Sequence, residues 1–582
     1  MNVLVYVVAA LIVYLLAYRF YGRFIARAVG EDRNRVTPAV EINDGVDYVP
    51  TRPSVLFAHH FSTIAGAGPI IGPVMGILYG VGPAWLWVVV GAVLFGGVHD
   101  LVAIYASVRE RGCSMAEIAR KTLGTSGFLL FIGFTTIMIV LVTSAFLALT
   151  AVSLTSLLPL ENFGLDSTQT LLRVREINGV PHGIIGGIAS TSLIVVTLFA
   201  PLIGYLVIQR RMRTWLAYVV AALVGAGSIY VGFQIPVALD PQVWMIIIAA
   251  YTLLACQVPV WWILQPRDFV NVQILYAGMA ALVAGLVWSG FQGATLTYPV
   301  ANLEAGAQAM GPVWPFLFIT IACGAISGFH ALVAGGTSSK QLESEGQARA
   351  IGYGGMLLEG LLAVLVLVTV GSSLSYAEYM HIVWPETGTG NPILGFAYSM
   401  GHLMHNTMGT SVAFGSVMGI LVVEGFLITT LDTAVRLNRY LLEELWKTVF
   451  VRPPAIIVKR WFNSVLSVLL MVLVAWNEGW KSIWPLFGSA NQLLAALTLI
   501  AVTVWLHRAG RKSWFTLGPA VVMIATTIAA LGYKLFTDYL PKKNFMLATT
   551  DMVLLALSLG VLVMSIRQFL PASGKPQTTV AS

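Results

Sequence analysis

Charge is what this sequence has least of. Only 10% of its 582 residues are Asp, Glu, Lys or Arg, against 57% hydrophobic residues. No polar stretch is long enough to form a soluble domain, so the composition excludes a water-soluble architecture. It points to an all-α polytopic membrane protein. Cysteine is also scarce. Cys113, Cys256 and Cys323 are scattered, with neither metal-ligand spacing nor a disulfide pattern. The phosphate-binding pattern G-x-x-x-x-G-K-[ST] is missing, so nucleotide hydrolysis by this chain is not the expected energy source. No nucleophile–base set is visible, and an enzyme is not expected. The net charge of +7 fits positive loops against anionic lipid, not a nucleic-acid partner.

What is present is a series of about 15 apolar spans, near the 20-residue length a bilayer requires. Their approximate limits are 3–18, 55–78, 82–107, 127–158, 184–208, 214–235, 243–264, 271–290, 312–337, 350–372, 408–432, 461–476, 482–506, 513–534 and 546–566. The apolar residues 1–18 follow no basic stretch and are read as a retained span, not a signal peptide. With the N-terminus outside, the inside segments hold 27 of the 33 Lys and Arg residues. The positive-inside rule therefore gives N-out and C-in. The stretch 373–407 has no Lys or Arg and reads as an outside loop. The tail 571–582, PASGKPQTTVAS, reads as disordered.

The chain is organised around residues 55–78, VLFAHHFSTIAGAGPIIGPVMGIL. Gly66-Ala67-Gly68-Pro69 falls in the middle of a span, and Gly and Pro there break helical geometry. Two half-helices are expected, with Pro69 in the first turn of the second. Such a break is tolerated only when buried in protein or lining a wet cavity. The N–H groups of Gly66, Ala67 and Gly68 would then face the protein interior with the positive helix end and cradle an anionic substrate group such as a carboxylate. A packing kink gives the same pattern.

A second interruption is expected in 243–264 at Cys256-Gln257-Val258-Pro259, followed by Trp261-Trp262. It falls five spans after the first and enters from the opposite side. This is the arrangement of a five-plus-five inverted repeat with paired discontinuous helices. The division becomes an extra helix and basic loop in 1–54, repeats in 55–235 and 243–432, additional helices in 433–570 and the tail. A rival break, GAISGFHALVAGG at 324–336, is richer in Gly. Gln257 and Pro259, with the two tryptophans, are candidates to line the pocket.

Ionisable and hydroxyl groups inside spans mark the coupling site, because they are costly in lipid. His59 and His60 lie in the inner half of the first broken helix, about 100° apart, so only one is expected to face a given cavity. Histidine is a natural proton carrier. Ser327, His330, Thr337 and Ser338 lie along 312–337. The hydroxyls at Ser327, Thr337 and Ser338, with carbonyls near Gly66, suit Na⁺, and His330 or Lys340 can supply the charge instead. Of the acids, Glu424 is the deepest candidate for proton coupling, and Glu359 is open between a structural and a functional role. Asp432 is read as a structural partner of Arg436 one turn on, and His99-Asp100 as an interfacial pair near Arg109. Asn491 and Gln492 read as interhelical glue.

FAHHFSTIAGAGPIIGP (57–73), VPVWWILQPRDFVN (258–271), CGAISGFHALVAGGTSSK (323–340), EGFLITTLDTAVRLNRYLLEE (424–444) and WPLFGSANQLLAA (484–496) together resemble the carbon starvation protein A (CstA) family of membrane transporters. The resemblance implies an inner-membrane location and a leucine-transporter-like core. It also implies uptake of small carboxylate nutrients, peptides or pyruvate, when carbon runs out. The expected activity is secondary active symport, with the substrate carboxylate at Gly66–Pro69. Either H⁺ or Na⁺ is the coupling ion, and no other cofactor is expected. A membrane sensor or accessory subunit that binds a metabolite without moving it is the alternative.

Overall fold

The computed structural model describes residues 2–45, 48–166, 169, 171–210, 212–259, 262–386, 390–477 and 479–569. In chain order the bundle comprises α1 (Val3–Val29), α2 (Pro53–Ile64), α3 (Gly68–Gly76), α4 (Val81–Arg109), α5 (Met115–Leu154), α6 (Gly186–Val207), α7 (Trp215–Gln234), α8 (Pro241–Gln257) and α9 (Leu264–Phe291). It continues with α10 (Val313–Thr320), α11 (Phe329–Gly336), α12 (Glu345–Ser373), α13 (Pro392–Met408), α14 (Val412–Val449), α15 (Arg460–Asn477), α16 (Trp480–Arg508), α17 (Trp514–Tyr539) and α18 (Phe545–Arg567). A small antiparallel sheet of β1 (Leu157–Pro159), β2 (Val174–Ile177) and β3 (Val180–Ile184), in the order β1-β3-β2, lies between α5 and α6.

Among the described residues 12 helices are long and apolar enough to cross a membrane, or 13 when α2 and α3 count as one span with a 42° bend. The expected 15 are reduced for two physical reasons. The apolar helix α8 has only 17 residues. The stretch 312–337 is divided into α10 and α11, each of eight residues.

The second interruption is therefore not where Pro259 placed it. Helix α8 is unbroken to Gln257 and ends there, and α9 starts at Leu264. The break falls at residues 321–328, overlapping only the start of the Gly-rich alternative at 324–336, since Phe329–Gly336 is helical. Trp262 is exposed, and Trp261 lies outside the described residues, as does the tail 571–582.

The stretch 373–407 is not a loop either. It contains α13, whose first turn is capped by Asn391, accepting from Leu394 N–H at 2.9 Å. This helix packs intimately on α14 through small residues. A Cβ on Gly401 would meet Ser416 Oγ at 2.4 Å, and one on Gly419 would meet Ala397 Cα at 2.6 Å.

The basic loops gather at one end of the bundle. Arg109 donates to the carbonyls of Val29 and Gly30 at 2.8 and 2.7 Å and pairs with Glu345. Arg111 pairs with Glu41 at 3.1 Å, and Arg508 donates to the Lys121 carbonyl at 2.9 Å. Lys340 sits at this end with its ammonium over the Tyr48 ring, 5.3 Å from the centroid.

Candidate functional site

The two interrupted helices cross antiparallel at their breaks. α2 packs on α11 and α3 on α10, so each half meets the opposite half of the other. Glycine at every fourth position makes this approach possible. A Cβ on Gly68 would lie 2.3 Å from Cys323 Cβ, and one on Gly72 would lie 2.8 Å from the Thr320 carbonyl oxygen. One on Gly76 would lie 2.4 Å from Ile321 Cδ1. Pro69 stands in the first turn of α3, where its missing N–H costs nothing. Of the three amides expected to be free, that of Gly66 is taken, donating to the Ile64 carbonyl at 2.7 Å. The Ala67 and Gly68 amides have no acceptor among the described residues. Thr430 and Phe146 border this break, within 3.2 and 3.3 Å of where a Gly66 Cβ would sit.

Backbone freed from a helix inside a membrane must find partners. At the second break α16 provides them. The Asn491 carbonyl accepts from Gly328 N–H at 3.1 Å, and its side-chain Oδ1 accepts from Phe329 N–H at 3.0 Å. Its Nδ2 donates to Ser327 Oγ at 3.1 Å, and Gln492 Nε2 donates to the Phe318 carbonyl at 3.0 Å.

Beside the crossing lies a chain of four buried ionisable groups drawn from three helices. Asp100 accepts from His99 Nδ1 at 2.7 Å through Oδ1 and from His330 Nδ1 at 2.8 Å through Oδ2. His330 Nε2 lies 3.2 Å from Glu359 Oε2, within ion-pair reach but off the line of a good hydrogen bond. All four side chains are at most 1% exposed. His99 and Asp100 follow a π-helical turn at Ala92–Gly96 in α4, a distortion that recurs at functional sites. His330 belongs to α11 and Glu359 to α12.

The chemistry of the set follows from its donors and acceptors. A carboxylate at Asp100 uses both oxygens to hold two imidazole N–H groups, which fixes their tautomers. His330 then turns Nε2 toward Glu359, and one proton can be held in that gap by either partner.

The remaining candidates divide. His60 is fully buried and pairs through Nδ1 with Ser338 Oγ at 2.7 Å, joining α2 to the segment after α11. His59 is half-buried, and its carbonyl accepts from Ser62 and Thr63 at 3.0 and 2.7 Å. Ser327 and Ser338 stand at opposite ends of α11, about 15 Å apart along the helix, so the structure does not gather Ser327, Thr337 and Ser338 around one ion. Glu424 is buried on α14 beside Ser153. Gln257 and Pro259 stand at the end of α8, where Arg436 donates to the Ala255 and Val258 carbonyls at 2.6 and 3.0 Å. That contact replaces the expected Asp432–Arg436 pair. Asp432 instead joins the fully buried Arg267, with Tyr251 donating to it at 3.0 Å.

The sequence alone reads Asp100 as interfacial and leaves Glu359 open between a structural and a functional role. The signal for both was the cost of an acid in an apolar segment. Thr430, Phe146 and Cys323 carried no comparable signal.

The sequence profile described as carbon starvation protein CstA matches residues 2–392 and 384–530. The peptide transporter CstA of Escherichia coli is 33% identical over 92% of this chain and 82% of that protein. The pyruvate/proton symporter BtsT of the same organism is 32% identical over 91% of this chain and 81% of its own length. Among solved structures, a manganese transporter from Eremococcus coleocola aligns over 90% of this chain and 99% of that one at 10% identity, with a TM-score of 0.46. With its profile match, relatives aligned over about four-fifths of their length and apolar helices, this multi-pass membrane protein belongs to the carbon starvation protein CstA family.

Proposed function

We propose that the protein is a proton-coupled symporter that imports small carboxylates, pyruvate or short peptides, across the inner membrane when carbon is scarce. The observation that carries this reading is His330. It stands on one of two crossed, interrupted helices and bridges Asp100 on α4 to Glu359 on α12. A proton held in the His330–Glu359 gap changes the attraction between α11 and α12, and so links protonation to movement of the crossing. The substrate carboxylate is assigned to the first turn of α3, where the Ala67 and Gly68 amides and the positive helix end face inward. Names given to relatives, a pyruvate/proton symporter and peptide transporters, support the same substrate class.

The antiparallel crossing suits alternating access between inverted halves. Each half opens with an interrupted helix, at α2–α3 and at α10–α11. Each is followed by a helix carrying a π turn, at Ala92–Gly96 and at Arg349–Gly354. This moves the start of the second repeat from residue 243 to about residue 312, while the basic end of the bundle is assigned to the cytoplasm.

Uptake of labelled pyruvate and of a labelled dipeptide into proteoliposomes tests the reading, with pH and Na⁺ gradients imposed separately. Accumulation under the pH gradient is expected. Equilibration without accumulation refutes coupling, and binding without flux favours a sensor.

A further inference from the structure

At one end of the bundle, α3, α10, α16, α17 and α18 enclose a cavity of about 360 Å³. Its floor includes Met75 and Thr320, each within a turn of the residues where the interrupted helices touch, Gly72 and Ile321. The cavity therefore reaches the contact between α3 and α10. Its walls carry Lys481, Lys534 and Lys542 against a single carboxylate, Asp538. Asp538 is shared by two of the lysines, with Lys534 at 3.4 Å and Lys542 at 2.6 Å. Lys481 has no carboxylate partner among the described residues. Its ammonium faces the Trp384 ring, 5.9 Å from the centroid. Trp484 also lines the cavity. It is 3% exposed, and its indole N–H has no acceptor among the described residues.

Three ammonium groups and an unused indole donor around one opening are unusual in this chain. Away from the basic end Lys and Arg are rare, yet three of them converge here. A cleft with an excess of positive charge and apolar walls, here three ammonium groups against one carboxylate, concentrates anions and raises their association rate. The volume is ample for a small organic anion with its hydration or for a short peptide.

We propose that this cavity is the capture site for the carboxylate substrate, with Lys481 and the Trp484 indole N–H holding the carboxylate before it moves to the helix crossing. The inference rests on the transport reading above. Lys481 acts on capture and not on coupling, so its effect belongs in KM.

The test is the initial rate of labelled pyruvate uptake into proteoliposomes by wild type, Lys481→Gln, Lys481→Glu and Lys481→Arg, at low and at high ionic strength. At low ionic strength Lys481→Gln raises KM about tenfold, the lower end of focusing by a charged cleft. Lys481→Glu raises it further, Lys481→Arg restores it, and kcat is unchanged. The difference shrinks at high ionic strength because salt screens it. Equal KM values in a wild type that transports overturn the capture site and leave the transport reading intact.

If the wild type shows no flux, equilibrium binding of labelled pyruvate to the same variants in detergent decides. Weakened binding in Lys481→Glu upholds the capture site while the transport reading falls, and unchanged binding overturns both. Vesicles with and without anionic lipid separate the two sources of anion. A Lys481 effect on KM that appears only with anionic lipid assigns the cavity to a lipid phosphate and overturns substrate capture.

Discussion

Glu359→Gln separates proton coupling from substrate movement. Both oxygens of Asp100 are occupied by imidazole nitrogens, at 2.7 and 2.8 Å. On the symport reading, the exchangeable proton is assigned to the gap between His330 Nε2 and Glu359 Oε2, 3.2 Å across. On that assignment, one proton is expected per cycle. A pH difference of one unit is worth about 1.4 kcal/mol per proton, which sustains about tenfold accumulation of substrate. Pyruvate moving with one proton transfers no net charge, so the membrane potential leaves its accumulation unchanged. A zwitterionic dipeptide moving with one proton carries one positive charge and gains about 2.3 kcal/mol per 100 mV.

Glutamine keeps the size of the side chain and removes its titration. The variant is expected to exchange internal for external labelled pyruvate, yet the accumulation ratio under an imposed pH gradient falls to one. The assay is paired counterflow and gradient-driven uptake in the same proteoliposome preparation. Wild-type accumulation by Glu359→Gln refutes the assignment of the proton. A hundredfold accumulation per pH unit in the wild type refutes the single gap.

Three further outcomes follow from the packing. Asn491→Ala leaves Phe329 N–H and Ser327 without their partner and costs about 2–4 kcal/mol, read as a lower midpoint of thermal unfolding in detergent, since each orphaned buried group costs about 1–3 kcal/mol. Gly68→Ala forces a methyl to within 2.3 Å of Cys323 Cβ, so transport falls sharply, and Cys323→Gly in the same chain recovers it; failure of the double variant to recover argues against the contact. Asp432→Asn leaves Arg267 buried and under-compensated and destabilises by about 3–5 kcal/mol, whereas Asp432→Asn with Arg267→Met loses less; equal losses in thermal unfolding refute the pairing.

The first broken helix was legible because Gly66-Ala67-Gly68-Pro69 interrupts an otherwise apolar span with residues that leave helical geometry most cheaply. The second was harder to place. Pro259 is strong punctuation, but here it follows the end of a complete short helix. The true break has no proline between Ile321 and Gly328 and depends on Asn491 and Gln492, over 160 positions further on, to satisfy its backbone. Long-range partners also explain the errors at acids. Asp432 had a cation four residues away, so a local pair was the economical reading, yet its partner Arg267 is on another helix. Asp100 sat near a basic loop, and hydropathy does not reveal that a π turn and the packing of α11 draw it into the interior. Helix α13 reads as a loop in sequence because Ser399, His402, His405 and Asn406 lower its hydropathy while its glycines do the packing.

The bond between neighbours His99 and Asp100 has a consequence for biosynthesis. The ribosome delivers α4 to the membrane long before His330 or Glu359 has been synthesised. An aspartate in the middle of an inserting helix costs about 2.5–3.5 kcal/mol on the insertion scale. A partner 2.7 Å away on the same helix is present from the moment the segment emerges. Asp100 can thus wait inside the bilayer, already solvated by its own neighbour, until the later helices arrive and claim its second oxygen.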